Sequence, residues 1–416
     1  MDTVTHQRPG TLSLLAGTDP WMGAESWGAH VARVGALPDA PAGLIATLRR
    51  SDVRGRGGAG FPVASKWESV ANRRGRRPVV LVNGAEGEPL SRKDRLLMET
   101  RPHLVLDGAA LAAGAVDAGK VIVYVGGEHA AARAAMLRAL AERPSAERRR
   151  TRLVSAPSGY VAGEETAAVH FVNDGIALPT AAPPRPYEKG VGGRPTLVQN
   201  VESLAHVALI ARYGDDWFRS LGHGTAAGTV LLTLSGAVPQ PGVVEVGQGI
   251  RLGEVIPTTG WARGQAILLG GYFGGWLSLD DAGALSLDSV QLRSQGRSLG
   301  CGVVAVLPEG RCGVMESARI VGYLAGESAQ QCGPCVFGLR AIASAVSRIA
   351  ACRSQADDLA RIQRWTGELA GRGACRHPDG AAGFLKSALD VFAAEFQRHD
   401  HLRQCSADDS AWRAAS

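Results

Sequence analysis

Two apolar runs, at 78–83 and 120–125, flank a stretch at 104–113 that reads as a helix rich in Leu, Val and Ala. A strand, a helix and a strand in that order demand a crossover, and strands joined by a crossover lie parallel. The expected fold is α/β, with a Rossmann-like layer domain over 46–226. At 416 residues the chain is too long for a single typical domain. Its 54 glycines follow no collagen-like period, so they are expected to serve tight turns and close backbone approaches.

The texture changes after Gly228. Short β-branched runs at 229–236, 242–246 and 250–256, then a strand at 266–270, indicate a small β-rich module over 227–300. From about 312 the pattern turns helical. Val314, Ala318, Val321 and Leu324 share one face, Leu339, Ile342, Val346 and Ile349 a second, Leu359, Ile362 and Leu369 a third, and Leu385, Leu389, Phe392 and Phe396 a fourth. Four amphipathic helices with short connections make a bundle, assigned to 301–400. An irregular arm at 1–45 and a tail at 401–416 complete the division.

Formal charge is +6, but the basic residues are scattered among 39 acidic ones and are not interleaved with aromatics, which argues against nucleic-acid binding. Seven cysteines, an odd number at uneven spacing, do not form a secreted disulfide framework, and a reducing cytoplasm suits them better. The first thirty residues carry no leader-like pattern, and no run approaches the roughly 20 apolar residues of a membrane helix. Docking on a membrane complex stays open, while direct insertion is not expected.

Four segments carry binding chemistry. Arg54-Gly55-Arg56-Gly57-Gly58-Ala59-Gly60-Phe61-Pro62 precedes a helix-like stretch containing Lys66 and Trp67. Glycines without Cβ let amides close on phosphate oxygens, and a following helix N-terminus adds favourable dipole charge. Lys66 adds a cation and Phe61 a ring face; a plain flexible loop is the rival reading. Asn83-Gly84-Ala85-Glu86-Gly87-Glu88 follows directly on a strand, at the sheet edge where α/β ligands bind, with carboxylates suited to ribose hydroxyls. Tyr160, Gly163, Glu164 and Glu165 stand where a helix begins, and Val198, Gln199 and Asn200 offer amides to the edge of a flat heterocycle. Elsewhere Cys332 and Cys335 stand at Cys-x-x-Cys spacing, with Cys375 further on.

Taken in order, these segments resemble the NADH-binding flavoprotein subunit of respiratory complex I, the 51 kDa or F-type family, and its relatives in NAD-reducing hydrogenases and formate dehydrogenases. Gly-Arg-Gly-Gly-Ala-Gly-Phe-Pro at 55–62 with Lys66-Trp67, Lys93-Asp94-Arg95, Gly163-Glu164-Glu165-Thr166, and Pro195-Thr196 with Asn200-Val201-Glu202 carry the resemblance, which spans about 45–400. It implies an FMN held by the glycine loop, the Asn83 segment with Glu86, Tyr160, the Gly163–Glu164 turn and the Val198-Gln199-Asn200 stretch. NADH, the expected NAD(H) partner, is implied to lie with Phe61 near adenine and Lys66 and Glu88 near ribose and phosphates. The family further implies a β-grasp module of the soluble-ligand-binding (SLBB) type and a four-helix bundle with an iron–sulfur cluster. Electrons are then expected to pass to a ferredoxin-like or thioredoxin-like iron–sulfur protein, or to a complex I-like assembly.

This sequence departs from the family at three places. Ala329 stands where the first cluster cysteine belongs, leaving Cys332, Cys335 and Cys375. Three thiolates admit a 4Fe–4S cluster with an outside ligand such as His377, Cys312, Cys301 or water, a 3Fe–4S cluster, a zinc shared with His377, or an empty site. Cys301, Cys352 and Cys405 otherwise read as small packing residues. Ala85 replaces an aspartate, and Arg185 an aromatic, at the nucleotide site. A guanidinium suits a 2′-phosphate, whereas Glu88 disfavours one, so NADH is expected over NADPH. The leading expectation is a stand-alone NADH dehydrogenase module; the rival is a non-catalytic assembly or ligand-binding subunit that has lost the cluster or holds zinc.

Overall fold

Alternation along the first strand shows why it lies inside a sheet. In the computed structural model, which describes residues 13–17, 23–38, 43–256 and 264–407, Val80 and Val82 of β1 (Val79–Gly84) enter a core with Leu104, Val105 and Leu204, and Leu81 points into a second with Tyr124, Val169 and Val198. A strand buried on both faces reads as a continuous apolar run rather than an alternating one. β1 pairs in parallel with β2 (Lys120–Gly126) and β4 (Thr196–Asn200), and β2 pairs in parallel with β3 (Thr151–Ala156). The strand order is β3-β2-β1-β4. The chain therefore lays β2 and β3 on one side of β1 and returns to lay β4 on the other, and the crevice beyond the carboxyl ends of β1 and β4 is the switch point where such sheets bind ligands.

The expected crossover helix is present as Pro102–Ala115, buried along nearly its whole length. It packs on Val201–Ser220, closely enough that a Cβ on Gly108 would strike the Leu204 carbonyl. Only glycine permits that approach.

The chain forms two compact units. The first comprises Met1–Leu234, Gln240–Arg251 and Ser286–Gly302, and the second Ser235–Pro239, Leu252–Leu285 and Val303–Ser416. In the first, β5 (Thr229–Gly236) pairs antiparallel with β6 (Gly242–Gly247). The buried carboxylate of Glu245 on β6 accepts from the Leu14 and Leu15 amides at 3.2 and 2.9 Å and from Thr229 Oγ1 at 2.6 Å, tying part of the arm to this hairpin. The run at 250–256 is not extended: Leu252–Val255 is a helical turn whose Leu252 and Gly253 amides donate to Leu285 and Gly283 carbonyls.

In the second unit β7 (Gly264–Leu269) pairs antiparallel with β8 (Gly275–Ser278) and β9 (Val303–Pro308). All four expected helical faces follow: Gly313–Gly326, Pro334–Leu339 running into Arg340–Ala350, Asp358–Leu369, and His377–Val391 with Ala393–Gln397. The fourth is interrupted at Phe392, whose φ of −107° leaves the helical region. Pro334–Leu339 and Arg398–Leu402 are π-helical turns. Among the described residues no helix is long and apolar enough to cross a membrane. Residues 1–12, 18–22 and 39–42 of the arm and 408–416 of the tail lie outside the described residues. The described part of the arm is not wholly irregular, since Trp27–Val34 is a helix whose first turn Ser26 caps.

Candidate cofactor and cluster sites

The glycine run closes on itself before the helix Val63–Ala71 begins. The Gly55 amide donates to the Phe61 carbonyl at 2.8 Å and Val63 to Val53 at 3.1 Å, while Gly58 and Gly60 take φ of +108° and +62°, backbone that glycine adopts without strain. Beside it lies a cavity of about 360 Å³ lined by Gly55, Arg56, Gly58, Lys93, Glu202 and Arg293, among others. Phe61 remains 57% exposed, a large ring left in solvent.

The other predicted residues gather at the carboxyl edge of the sheet and do not line this cavity. Lys66 Nζ lies 2.8 Å from Glu165 Oε2, both partly exposed. Asn83 Nδ2 donates to the Gly163 carbonyl at 2.8 Å, and Tyr160 Oη to Glu88 Oε2 at 3.2 Å, so the strand ends and the Tyr160–Gly163 turn are stitched together. Glycine is required at two of these crossings: a Cβ on Gly87 would sit 2.6 Å from the Tyr160 carbonyl, and one on Gly163 2.9 Å from that of Ala85.

Several predicted ligands already hold helix ends. Glu86 accepts from the Asp94 and Arg95 amides at 3.0 and 3.2 Å and from Ser91 Oγ at 2.5 Å, capping Lys93–Thr100. Glu164 accepts from the Thr166 and Ala167 amides at 2.8 and 3.0 Å, and Asn200 from those of Glu202 and Ser203. Side-chain caps of this kind satisfy otherwise orphaned amides. Val198 is buried in the second core, and Gln199 Oε1 accepts from Trp67 Nε1 at 3.3 Å. Arg185 is exposed, its amide donating to Glu188.

Beneath the glycine run lies a charge network that sequence reasoning meets only as a family motif. Lys93 Nζ stands 2.7 Å from Asp94 Oδ1 and 2.8 Å from Glu202 Oε2. Arg56, buried, donates to the Thr229 carbonyl at 2.8 Å and lies 3.6 Å from Glu202. Burial works against each charge. For Glu202 the cations Lys93 and Arg56, with His206, prevail and hold it at about 2; for Asp94 burial, helped by Glu86 and Glu202, outweighs Lys93 and pushes it up to about 7. Cys301, in the same unit, is pushed up to about 12 by burial and the charge of Glu88, and stays a thiol at neutral pH.

In the second unit Cys332 precedes the π turn, Cys335 lies within it, and Cys375 stands before His377–Val391. Cys335 interacts with both other thiols, and burial followed by Cys332 pushes it up to about 12. For Cys332 burial is outweighed by amide hydrogen bonds from Ala374 and Cys335, which shift it down. Amides aimed at sulfur stabilise thiolate and tune iron–sulfur centres. His377 Nε2 is bonded to the Leu324 carbonyl at 2.7 Å. Cys312, offered by the sequence as an outside ligand, instead faces Glu395, His399 and Cys405. The members of that group are dispersed along the chain, and its only local sign is the i, i+4 spacing of Glu395 and His399.

The donor sets fit the groups they suggest. A cavity ringed by Arg54, Arg56, Lys93, Arg293 and Arg297 with glycine backbone suits a phosphorylated flat cofactor, and three thiols with amide donors suit an iron–sulfur cluster. Residues 48–209 match the Nuo51 FMN-binding domain family and residues 316–399 the NADH-ubiquinone oxidoreductase-F iron-sulfur binding region. An F-type subunit of NADH-quinone oxidoreductase from Rhizobium meliloti is 33% identical over 88% of this chain and 90% of its own. The corresponding F-type subunit from Streptomyces coelicolor is 32% identical over 91% and 88%. The structure of an air-oxidized NAD+-reducing NiFe hydrogenase superposes with a TM-score of 0.74 at 29% identity, over 90% of this chain; this chain spans 65% of that one.

Proposed function

We propose that this chain, which belongs to the family of F-type subunits of NADH-quinone oxidoreductase, accepts hydride from NADH and sends electrons singly through a cluster at Cys332, Cys335 and Cys375 to a partner redox protein. FMN, when bound, supplies the two-electron to one-electron conversion. The protein's own residues align and enclose. The amides of Gly57 and Gly58 receive phosphate. Those of Gly55 and Arg56 shape the loop instead, donating to the Phe61 carbonyl and to Ser203 Oγ, both at 2.8 Å, while the Arg56 side chain and Lys93 set a positive potential beneath. Glu86, Glu164 and Asn200 act by fixing the backbone of the segments they cap, since their carboxylate or amide oxygens already serve that purpose. Asn83, Tyr160 and Gly163 shape the cleft, with Val198 and Gln199 beneath it. Phe61, Lys66, Glu88 and Glu165 receive the dinucleotide, and Glu88 favours a free ribose hydroxyl over a 2′-phosphate. No protein base is needed for hydride transfer, so no catalytic acid or base is assigned.

The observation that carries this reading is the left-handed glycine loop walling a cationic cavity next to an exposed Phe61. The division into arm, FMN/NADH domain (46–226), β-grasp module (227–300), bundle (301–400) and tail remains part of the proposal. So does the partner, a ferredoxin-like or thioredoxin-like iron–sulfur protein or a complex I-like assembly. Anaerobic mixing of the flavin-loaded protein with NADH tests it: bleaching of the flavin band, followed by reduction of an added ferredoxin, is expected. A flavin that NADH leaves oxidised would refute it.

A further inference from the structure

Four ligand-type side chains converge in the second unit from three places in the chain. Cys312 caps the helix Gly313–Gly326, Glu395 lies in Ala393–Gln397, His399 in the π turn Arg398–Leu402, and Cys405 just beyond it. One ligand atom from each lies within 4.8 Å of all the others. Cys312 Sγ is 3.4 Å from His399 Nε2 and 4.0 Å from Glu395 Oε1, and those two are 3.1 Å apart. In a zinc tetrahedron with bonds of about 2.0–2.3 Å, neighbouring ligand atoms stand roughly 3.3–3.8 Å from one another. The side chains already sit close to those edges.

The surroundings orient the ligands as well. His399 is fully buried, and its Nδ1 lies 3.1 Å from the Ile349 carbonyl, which accepts only if Nδ1 carries the proton. With Nδ1 held by that carbonyl, Nε2, 3.1 Å from Glu395 Oε1, offers a metal the place that a proton shared with the carboxylate otherwise takes, the outer arrangement that metal-binding histidines use. The Met315 amide donates to Cys312 Sγ at 3.4 Å. Ser406 donates to Glu395 through its amide at 2.9 Å and its hydroxyl at 2.7 Å, fixing the carboxylate and the segment that bears Cys405. Cys352 Sγ, 3.4 Å from His399 Nδ1, stands on the far side of the ring and is no ligand. Packing alone gives no reason to gather two thiols, an imidazole and a carboxylate in one place, and π-helical turns often mark functional sites.

We propose that Cys312, Glu395, His399 and Cys405 bind one zinc ion, using residues separate from the Cys332, Cys335 and Cys375 set. The two thiols release their protons to solvent as the metal binds. Four protein ligands leave no open position, so the ion is structural: it fastens the π turn and the segment after it to the start of Gly313–Gly326.

The test is zinc quantitation on the full chain purified without chelators, with cobalt(II) as a spectroscopic probe. About one zinc per chain is expected, retained in Cys375→Ser and lost in Cys312→Ser, His399→Gln and Cys405→Ser. Cobalt should give thiolate charge-transfer bands in the wild type that weaken in Cys405→Ser. Should Cys312→Ser not fold, Cys405→Ser and the wild-type cobalt spectrum still decide. Wild-type protein that takes up neither metal, zinc lost in Cys375→Ser but kept in Cys312→Ser and Cys405→Ser, or metal-free protein with a Cys312–Cys405 disulfide in its peptide map would each overturn the assignment.

Discussion

Replacing Lys93 by Met withdraws an ammonium 2.7 Å from Asp94 and 2.8 Å from Glu202, where all three side chains are at most 8% exposed. At an effective dielectric of 20 each contact is worth roughly 6 kcal/mol of direct attraction. Most of that offsets desolvation, and breaking a buried pair usually costs about 3–5 kcal/mol because the surviving charge is stranded. The variant has one escape. Burial already pushes Asp94 from 3.8 up to about 7 in the intact network, and loss of Lys93 drives it higher still, so the folded variant takes up a proton that the unfolded chain does not. A carboxyl raised on folding stabilises below its unfolded value and forfeits that stability as pH rises through its folded value. The wild type has largely exhausted this dependence by about pH 8; the variant is then still losing about 1.4 kcal/mol per pH unit. Urea melts followed by far-UV circular dichroism should therefore show a loss of about 3–5 kcal/mol at pH 8 and roughly 1 kcal/mol less at pH 7. Adding Asp94→Asn to Lys93→Met should recover part of the deficit. A single-variant loss under about 1 kcal/mol, or one that does not change between the two pH values, would refute the network's role.

Glu202 gives the opposite acid signature. With its carboxyl lowered from 4.5 to about 2, it contributes about 3 kcal/mol that is present above pH 4.5 and lost as pH falls toward 2, so Glu202→Gln should flatten that stretch of the stability curve. Gly87→Ala would press a Cβ to 2.6 Å from the Tyr160 carbonyl and part the two segments of the cleft; FMN affinity by fluorescence titration should fall at least tenfold, on the order of 1.4 kcal/mol, with secondary structure preserved. Cys335→Ser should lower iron content while FMN content holds, and parallel loss of both would contradict the assignment of separate sites. Steady-state kinetics should give higher kcat/KM with NADH than with NADPH, and a tenfold preference for NADPH would reverse the role given to Glu88.

The parts of the fold legible in the sequence are those with one dominant signal. β1, β2 and the helix between them announce themselves because strands covered on both faces have no polar alternation, and the helices after 312 because each keeps one apolar stripe. The turn at Leu252–Val255 is not legible, since Ile250, Val255 and Ile256 lend the stretch strand propensity while tertiary hydrogen bonds to Leu285 and Gly283 decide otherwise. At the site, glycines and thiols are readable because few residues can replace them. What Glu86, Glu164 and Asn200 bond to is not: a carboxylate or amide near a helix start serves a cap or a ligand equally well, and only geometry separates the two. Lys93 and Glu202, more than a hundred positions apart, meet solely through the fold, as do Cys312 and His399.

Cofactor content of the full chain, expressed with ample riboflavin and iron and purified anaerobically, bears most directly on the whole account. About one FMN per chain, together with acid-labile sulfide and iron that depend on Cys332, Cys335 and Cys375, is the expected result. Colourless protein that takes up no FMN on titration would contradict it.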